Sequence, residues 1–163
     1  MASEIMTESF PLNTLNLYPT EISFSGKLHS KYDASKNMLF IEWHGEVSSA
    51  DVKFGYYKVI EMVKHFKPNR WVLDLRNRES IKREDQLWVI KHIFSQALRL
   101  LQCNIFVAII LPVYSFQSLV SELDGDELIY NDNFLIINHY LYIEESLRWL
   151  ESITEAETET ISI

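Results

Sequence analysis

The stretch that most limits how this chain can fold is Asn104 followed by Ile105-Phe106-Val107-Ala108-Ile109-Ile110-Leu111. A near-continuous apolar run of this length, stopped by Pro112, reads as a strand covered on both faces. It is far too short to cross a bilayer. A strand with two buried faces needs a layer on each side, and the flanking sequence supplies helices for them.

Ser48 is placed to cap a helix, with Asp51 at the third helical position as its capping-box partner. Val52, Tyr56, Val59, Val63 and Phe66 then recur at spacings of three and four, the stripe of an amphipathic helix. Lys67-Pro68-Asn69 ends it, and Arg70-Trp71-Val72-Leu73-Asp74-Leu75 reads as a second buried strand. Residues 76–82 form a polar loop, followed by a helix from about Glu84 to Leu101. Leu87, Ile90, Phe94, Ala97 and Leu101 make its core stripe, widened by Trp88 and Ile93.

Upstream, Ile22, Phe24, Gly26 and Leu28 alternate with polar residues and predict one strand over residues 21–32. Asp33-Ala34-Ser35-Lys36-Asn37 is turn chemistry, so the strand Met38-Leu39-Phe40-Ile41-Glu42-Trp43 completes a hairpin, which Gly45 closes. Downstream, Phe116, Leu119, Val120 and Leu123 mark a short third helix, ended by Asp124-Gly125-Asp126. Residues 127–139 read equally as strand or as helix end and loop, and Ile143, Leu147, Leu150 and Ile153 line a last helix.

The predicted order is β-β-α-β-α-β-α-β-α. It describes an α/β fold with a mixed, mainly parallel central sheet and covering helices. One domain spans residues 20–153, between an N-terminal arm (1–19) and an acidic, flexible tail (154–163). The arm has Phe10-Pro11 and Tyr18-Pro19 as extended or turning points. Its Phe10, Leu12, Leu15 and Leu17 fit packing on the domain or a short partner-binding segment.

Composition narrows the function. A net charge of -8 and a pI near 5.1 disfavour nucleic acid and anionic membranes. The densest basic cluster, Arg76-Asn77-Arg78 with Lys82-Arg83, is interleaved with acids. The single cysteine, Cys103, permits no intramolecular disulfide and sits among apolar neighbours as a small buried hydrophobe. The first residues carry neither a basic nor an apolar signal region, so a cytoplasmic location is expected.

The segments Phe40-Ile41-Glu42-Trp43-His44-Gly45-Glu46-Val47, Trp71-Val72-Leu73-Asp74-Leu75-Arg76-Asn77, Glu84-Asp85-Gln86-Leu87-Trp88-Val89 and Ser146-Leu147-Arg148-Trp149-Leu150, in this element order, resemble a STAS-type domain. More narrowly, the chain is similar to bacterial stand-alone STAS/SEC14-like proteins of the anti-sigma-factor-antagonist-like fold. The resemblance covers residues 20–153 in outline. It implies a regulatory, protein-binding module, and its SEC14-like side implies a small apolar ligand or lipid. Antagonist-type members carry Asp-Ser-Ser-Gly or Asp-Ser-Thr-Gly, with a phosphorylatable hydroxyl, at the helix start after the third strand. This chain has Lys82-Arg83-Glu84-Asp85-Gln86 there, and its nearest hydroxyl is Ser80. The family's phosphosite is not carried over. Glu84 or Asp85 would instead set fixed negative charge where the phosphate would sit.

No nucleophile elbow, phosphate loop or metal-ligand spacing occurs among the five histidines and four glycines, so neither an enzyme nor a cofactor is expected. His44, before Gly45 at a strand end, either lines a cleft or terminates a strand. Asp74, Arg76 and Asn77 stand where ligand crevices open at the carboxyl ends of parallel strands. The competing role of Asp74 is to cap local backbone N–H groups. Ser80, Arg83, Glu84 and Asp85 complete the candidate interaction surface, and Glu84 and Asp85 also suit the helix dipole. The expected partner is another protein. A second copy, through edge strands and surplus aromatics, is the further possibility.

Overall fold

The computed structural model describes residues 18–117 and 128–153. Its elements are β1 (Glu21–Phe24), β2 (Leu28–Asp33), β3 (Met38–Gly45), α1 (Ser49–Phe66), β4 (Arg70–Arg78) and α2 (Arg83–Trp88). A π-helical segment (Val89–Phe94) joins α2 without a break to α3 (Ser95–Leu101). Then follow β5 (Ile105–Ile110), a 3-10 turn (Val113–Ser115), β6 (Leu128–Tyr130), β7 (Asn133–Tyr140) and α4 (Ile143–Ser152).

The seven strands form one sheet in the order β1-β2-β3-β4-β5-β7-β6. β3, β4, β5 and β7 are parallel neighbours, whereas β1-β2, β2-β3 and β6-β7 are antiparallel. The sheet is therefore mixed in equal parts rather than mainly parallel, and two hairpins account for the difference. The single strand expected over residues 21–32 is two strands. Ser25 and Gly26 both take positive φ (53° and 66°), and the Lys27 N–H donates to the Phe24 carbonyl at 3.0 Å. Positive φ at both central residues is the turn that matches strand twist. The ambiguous stretch, from Leu128 onward, resolves in the same way, with Asn131 and Asp132 at φ 50° and 64° between β6 and β7. The expected third helix lies largely outside the described residues, as do most of the arm and the tail.

The start of α1 is built as its sequence requires. The Asp51 N–H donates to Ser48 Oγ and the Ser48 N–H donates to Asp51 Oδ2, each at 3.1 Å. Lys67 closes the helix in the left-handed conformation (φ 52°). The π segment inserts one residue into the second helix and shifts its buried stripe, so Leu98 is buried where Leu101 is only half-covered.

β5 is buried along its whole length. Ile105, Val107 and Ile109 pack toward α1 and the α2–α3 helix, together with the fully buried Trp43, Trp71 and Phe94. Phe106, Ala108 and Ile110 pack toward α4, beside Val72, Leu150 and Ile153. Among the described residues, no helix is long and apolar enough to cross a membrane.

A close fit lies where α1 crosses β3. A Cβ at Gly55 would stand 2.4 Å from Trp43 Cη2 and 3.1 Å from Leu28 Cδ2. In an open helix Gly→Ala gains about 1 kcal/mol. Here the methyl has no room, and overpacking of a rigid core costs about 1–3 kcal/mol. Gly55→Ala is expected to lower the urea midpoint, and a raised midpoint would mean that the indole yields.

Candidate functional site

The site takes its form from one extra residue in β4. Along the β3–β4 ladder, Glu42 faces Asp74, but the next partners are His44 with Asn77 and Gly45 with Arg78. Two steps on β3 match three on β4, which makes a bulge. Val72 and Asp74 point to the α4 face. Beyond the bulge the alternation is reversed, so Arg78 turns inward beneath α1 and α2, only 4 % exposed, while Arg76 and Asn77 stand out at the strand's carboxyl end. The expected polar loop thus begins after Arg78. Arg78 belongs to the interior, not to a surface basic cluster.

On the α4 face, Asp74 is buried and fully engaged. Arg76 Nε and Nη2 donate to its Oδ1 and Oδ2 at 3.0 and 2.7 Å, and the Arg76 backbone N–H donates to Oδ1 at 3.1 Å. Asp74 therefore performs the capping role foreseen for it, and it also lines a crevice. That open cleft, of about 170 Å³, is bounded by His29, Lys31, Phe40, Glu42, Val72, Asp74 and Ile143. The cleft's His29 already has a partner, its Nε2 lying 2.6 Å from Glu21, and outside the cleft His44 Nε2 lies 2.9 Å from Glu42. His44 is not part of the cleft wall. The hydrogen bonds that the Arg76 guanidinium donates to Asp74 hold it above its ordinary pKa.

On the opposite face a second polar group is closed off from water. Asp85 is not a surface charge at the helix start. It is buried, and Ser49 Oγ donates to its Oδ1 at 2.6 Å from the first turn of α1. Among the described residues, its Oδ2 and the Nε and Nη2 of Arg78 have no hydrogen-bond partner. Burial lowers the Arg78 pKa, against the opposing fields of Tyr56 and Asp85. Burial pushes the Tyr56 phenol up to about 12, with the Trp43 indole and Arg78 pulling the other way. Ser49 and Asp85 thereby tie the start of α1 to α2 beside the buried Arg78 of β4.

The carboxyl ends of the strands form a third surface. Tyr114, 74 % exposed, follows β5, and its hydroxyl donates to the Arg78 and Glu79 carbonyls at 3.1 and 3.3 Å. Val113 beside it and Tyr142 at the end of β7 are also exposed. Asn77, Ser80, Arg83 and Glu84 are exposed on the adjoining stretch from β4 into α2. The residues expected from sequence therefore divide. His44, Asp74, Arg76 and Asn77 meet at the bulge, Ser80, Arg83 and Glu84 lie on the rim, and Asp85 points into the core. Val113, Tyr114 and Tyr142 were not singled out, although two large residues directly after Pro112 were the available sign. Cys103, expected to be buried, is half-covered.

No family model matches the chain, and no curated protein matches it significantly. Among the described residues, no group of three or more His, Cys, Asp or Glu side chains is placed to hold a metal ion.

Removing the Arg76 side chain leaves Asp74 buried with only a backbone donor. Arg76→Ala should cost about 1–2 kcal/mol, the loss being limited by the half-exposed guanidinium. Adding Asp74→Asn should recover part of it in denaturant titrations, and a double variant weaker than the single one would contradict this. The second expectation concerns alkaline pH. A phenol with a folded pKa of about 12 and an ordinary value of 10.0 leaves stability intact below pH 10 and removes it as pH rises toward 12. The full loss of stability is roughly 2–3 kcal/mol, at about 1.4 kcal/mol for each tenfold change in proton affinity. Tyr56→Phe should flatten the fall in unfolding free energy over that window. An unchanged slope would place the loss elsewhere.

Proposed function

We propose that this chain is a non-enzymatic protein-interaction or regulatory module of STAS-like type, docking its partner on the rim at the carboxyl ends of β4, β5 and β7. The observation that carries the proposal is Tyr114, an exposed ring whose single hydroxyl proton is shared between the Arg78 and Glu79 backbone carbonyls. An aromatic already held in place loses little side-chain freedom when a partner covers it. Tyrosine and arginine are among the residues that most often dominate binding, and Arg76 and Arg83 are exposed on the stretch that runs from β4 into α2.

The STAS-like part of the reading is supported by the opening hairpins, the parallel β3-α1-β4-α2 succession and the exposed start of α2. Lys82 precedes that helix and makes no side-chain cap, so the helix start is not built around a hydroxyl. The alternative, a small apolar-ligand or lipid-binding domain, draws less support. The void lined by Ile90, Phe94, Ile109 and Ile137, with Gln86 and His139, has only about 10 Å³, room for one water molecule.

The test is recovery of associated proteins on the tagged full-length chain, compared with Tyr114→Ala and Arg83→Glu. Tyr114→Ala should weaken association at least tenfold, equivalent to about 1.4 kcal/mol. Because the ring is exposed, thermal stability should change little. Equal recovery on all three proteins would refute the rim as the docking surface. An apolar molecule retained in native mass spectra would favour the alternative.

A further inference from the structure

The charge of this chain is unevenly distributed. Eleven of the 15 Lys and Arg, but five of the 23 Asp and Glu, lie between Lys53 and Arg99. That stretch builds α1, β4 and the α2–α3 helix, and it is net positive by six in a chain whose total is -8. Two of its acids, Asp74 and Asp85, are buried. On the outward side of the helices, Glu61 is answered by Lys64 at 3.3 Å. Lys53, Lys58, Lys91 and Arg99 are exposed there, and none pairs with a carboxylate among the described residues.

The same surface holds a connected group of aromatic side chains. Tyr57 meets Trp88 edge-on at 5.8 Å, Trp88 lies 5.3 Å from His92, and Lys53 Nζ stands 5.7 Å over the Trp88 ring. Phe54, one turn from Tyr57 and Lys58, is 59 % exposed, and Tyr57 is 53 % exposed. Large apolar side chains gathered on one face and bordered by like charges mark an interaction surface.

We infer that the outward face of α1 and α2 is a second docking surface, and that it takes an acidic segment of a partner protein bearing an aromatic or leucine anchor. The anchor would rest on Tyr57, Trp88 and Phe54, and its acids would face Lys53, Lys58 and Lys91. Charge complementarity selects this occupant over an extended polyanion. A short segment feels the local field within a Debye length, about 8 Å at physiological salt. A membrane or nucleic acid would meet the rest of the chain, which is net negative by fourteen. Trp88 is also half-covered among Lys53, Tyr57 and His92, a platform and not a projecting membrane anchor.

The probe is a phage-displayed library of random 15-residue peptides selected on the full-length chain. The selected consensus should carry more Asp and Glu than Lys and Arg, together with an aromatic or leucine, and its affinity should fall as salt rises. Lys53→Glu with Lys91→Glu should weaken the best peptide at least tenfold, as should Tyr57→Ser. Tyr114→Ala should leave it unchanged, which separates this surface from the rim. A neutral or basic consensus, or an affinity indifferent to the charge reversals, overturns the proposal. So does binding to phosphatidylserine vesicles with no peptide selected.

Discussion

The architecture depends on covering β5 from both sides. Its six residues are buried, and its parallel neighbours β4 and β7 cannot be reached from it by a tight turn. The connections must therefore travel over the sheet, and the connecting helices become the cover. α1 and the α2–α3 helix form the larger layer, while α4 closes the other face over a smaller apolar cluster. That smaller layer is fastened by a polar device. Arg70, at the start of β4, donates from Nε to the Leu150 carbonyl at 3.0 Å and from Nη2 to the Ile153 carbonyl at 2.7 Å. A cation on the last carbonyls of a helix satisfies acceptors the helix cannot and complements its dipole.

Within that frame, the extra residue of β4 decides what the carboxyl end of the sheet presents. Without it, strict alternation would send Arg78 to the α4 face beside Asp74 and Arg76. With it, one arginine serves a part-buried ion pair and the other enters the core near Tyr56 and Asp85. The strand end is then fixed from two sides, by the Glu79 N–H on the Gly45 carbonyl at 3.0 Å and by the Tyr114 hydroxyl. A rim held in this way has a defined shape, which is what the proposed docking requires.

Elements governed by local chemistry were legible in the sequence, and those governed by partners distant along the chain were not. Ser48 and Asp51 cap α1 as read, because a capping box involves residues three apart. β5 was legible from its unbroken apolar run. Gly26 misled because it falls in phase with Ile22, Phe24 and Leu28, so a turn was read as a continuing strand. Arg78 was misplaced because a bulge is defined by register with β3, which no pattern within β4 reveals. Asp85 had a sufficient local explanation in the helix dipole, and its real partner, Ser49, lies 36 residues away. The candidate site was therefore half legible: His44, Asp74, Arg76 and Asn77 share the bulge, while Tyr114 owes its role to carbonyls on another strand.

The acidic total of the chain conceals how its field is arranged. Net charge governs solubility and long-range repulsion, but encounter is oriented by where charge of each sign is concentrated. Here the positive stretch supplies both the outer face of α1 and α2 and the arginines of the rim. A partner carrying excess negative charge would be repelled by most of the molecule and received on these two surfaces, with Arg83 at the start of α2 near their meeting point. Specificity would then arise as much from rejection elsewhere as from contact, which is how an acidic module can hold an acidic partner in one orientation.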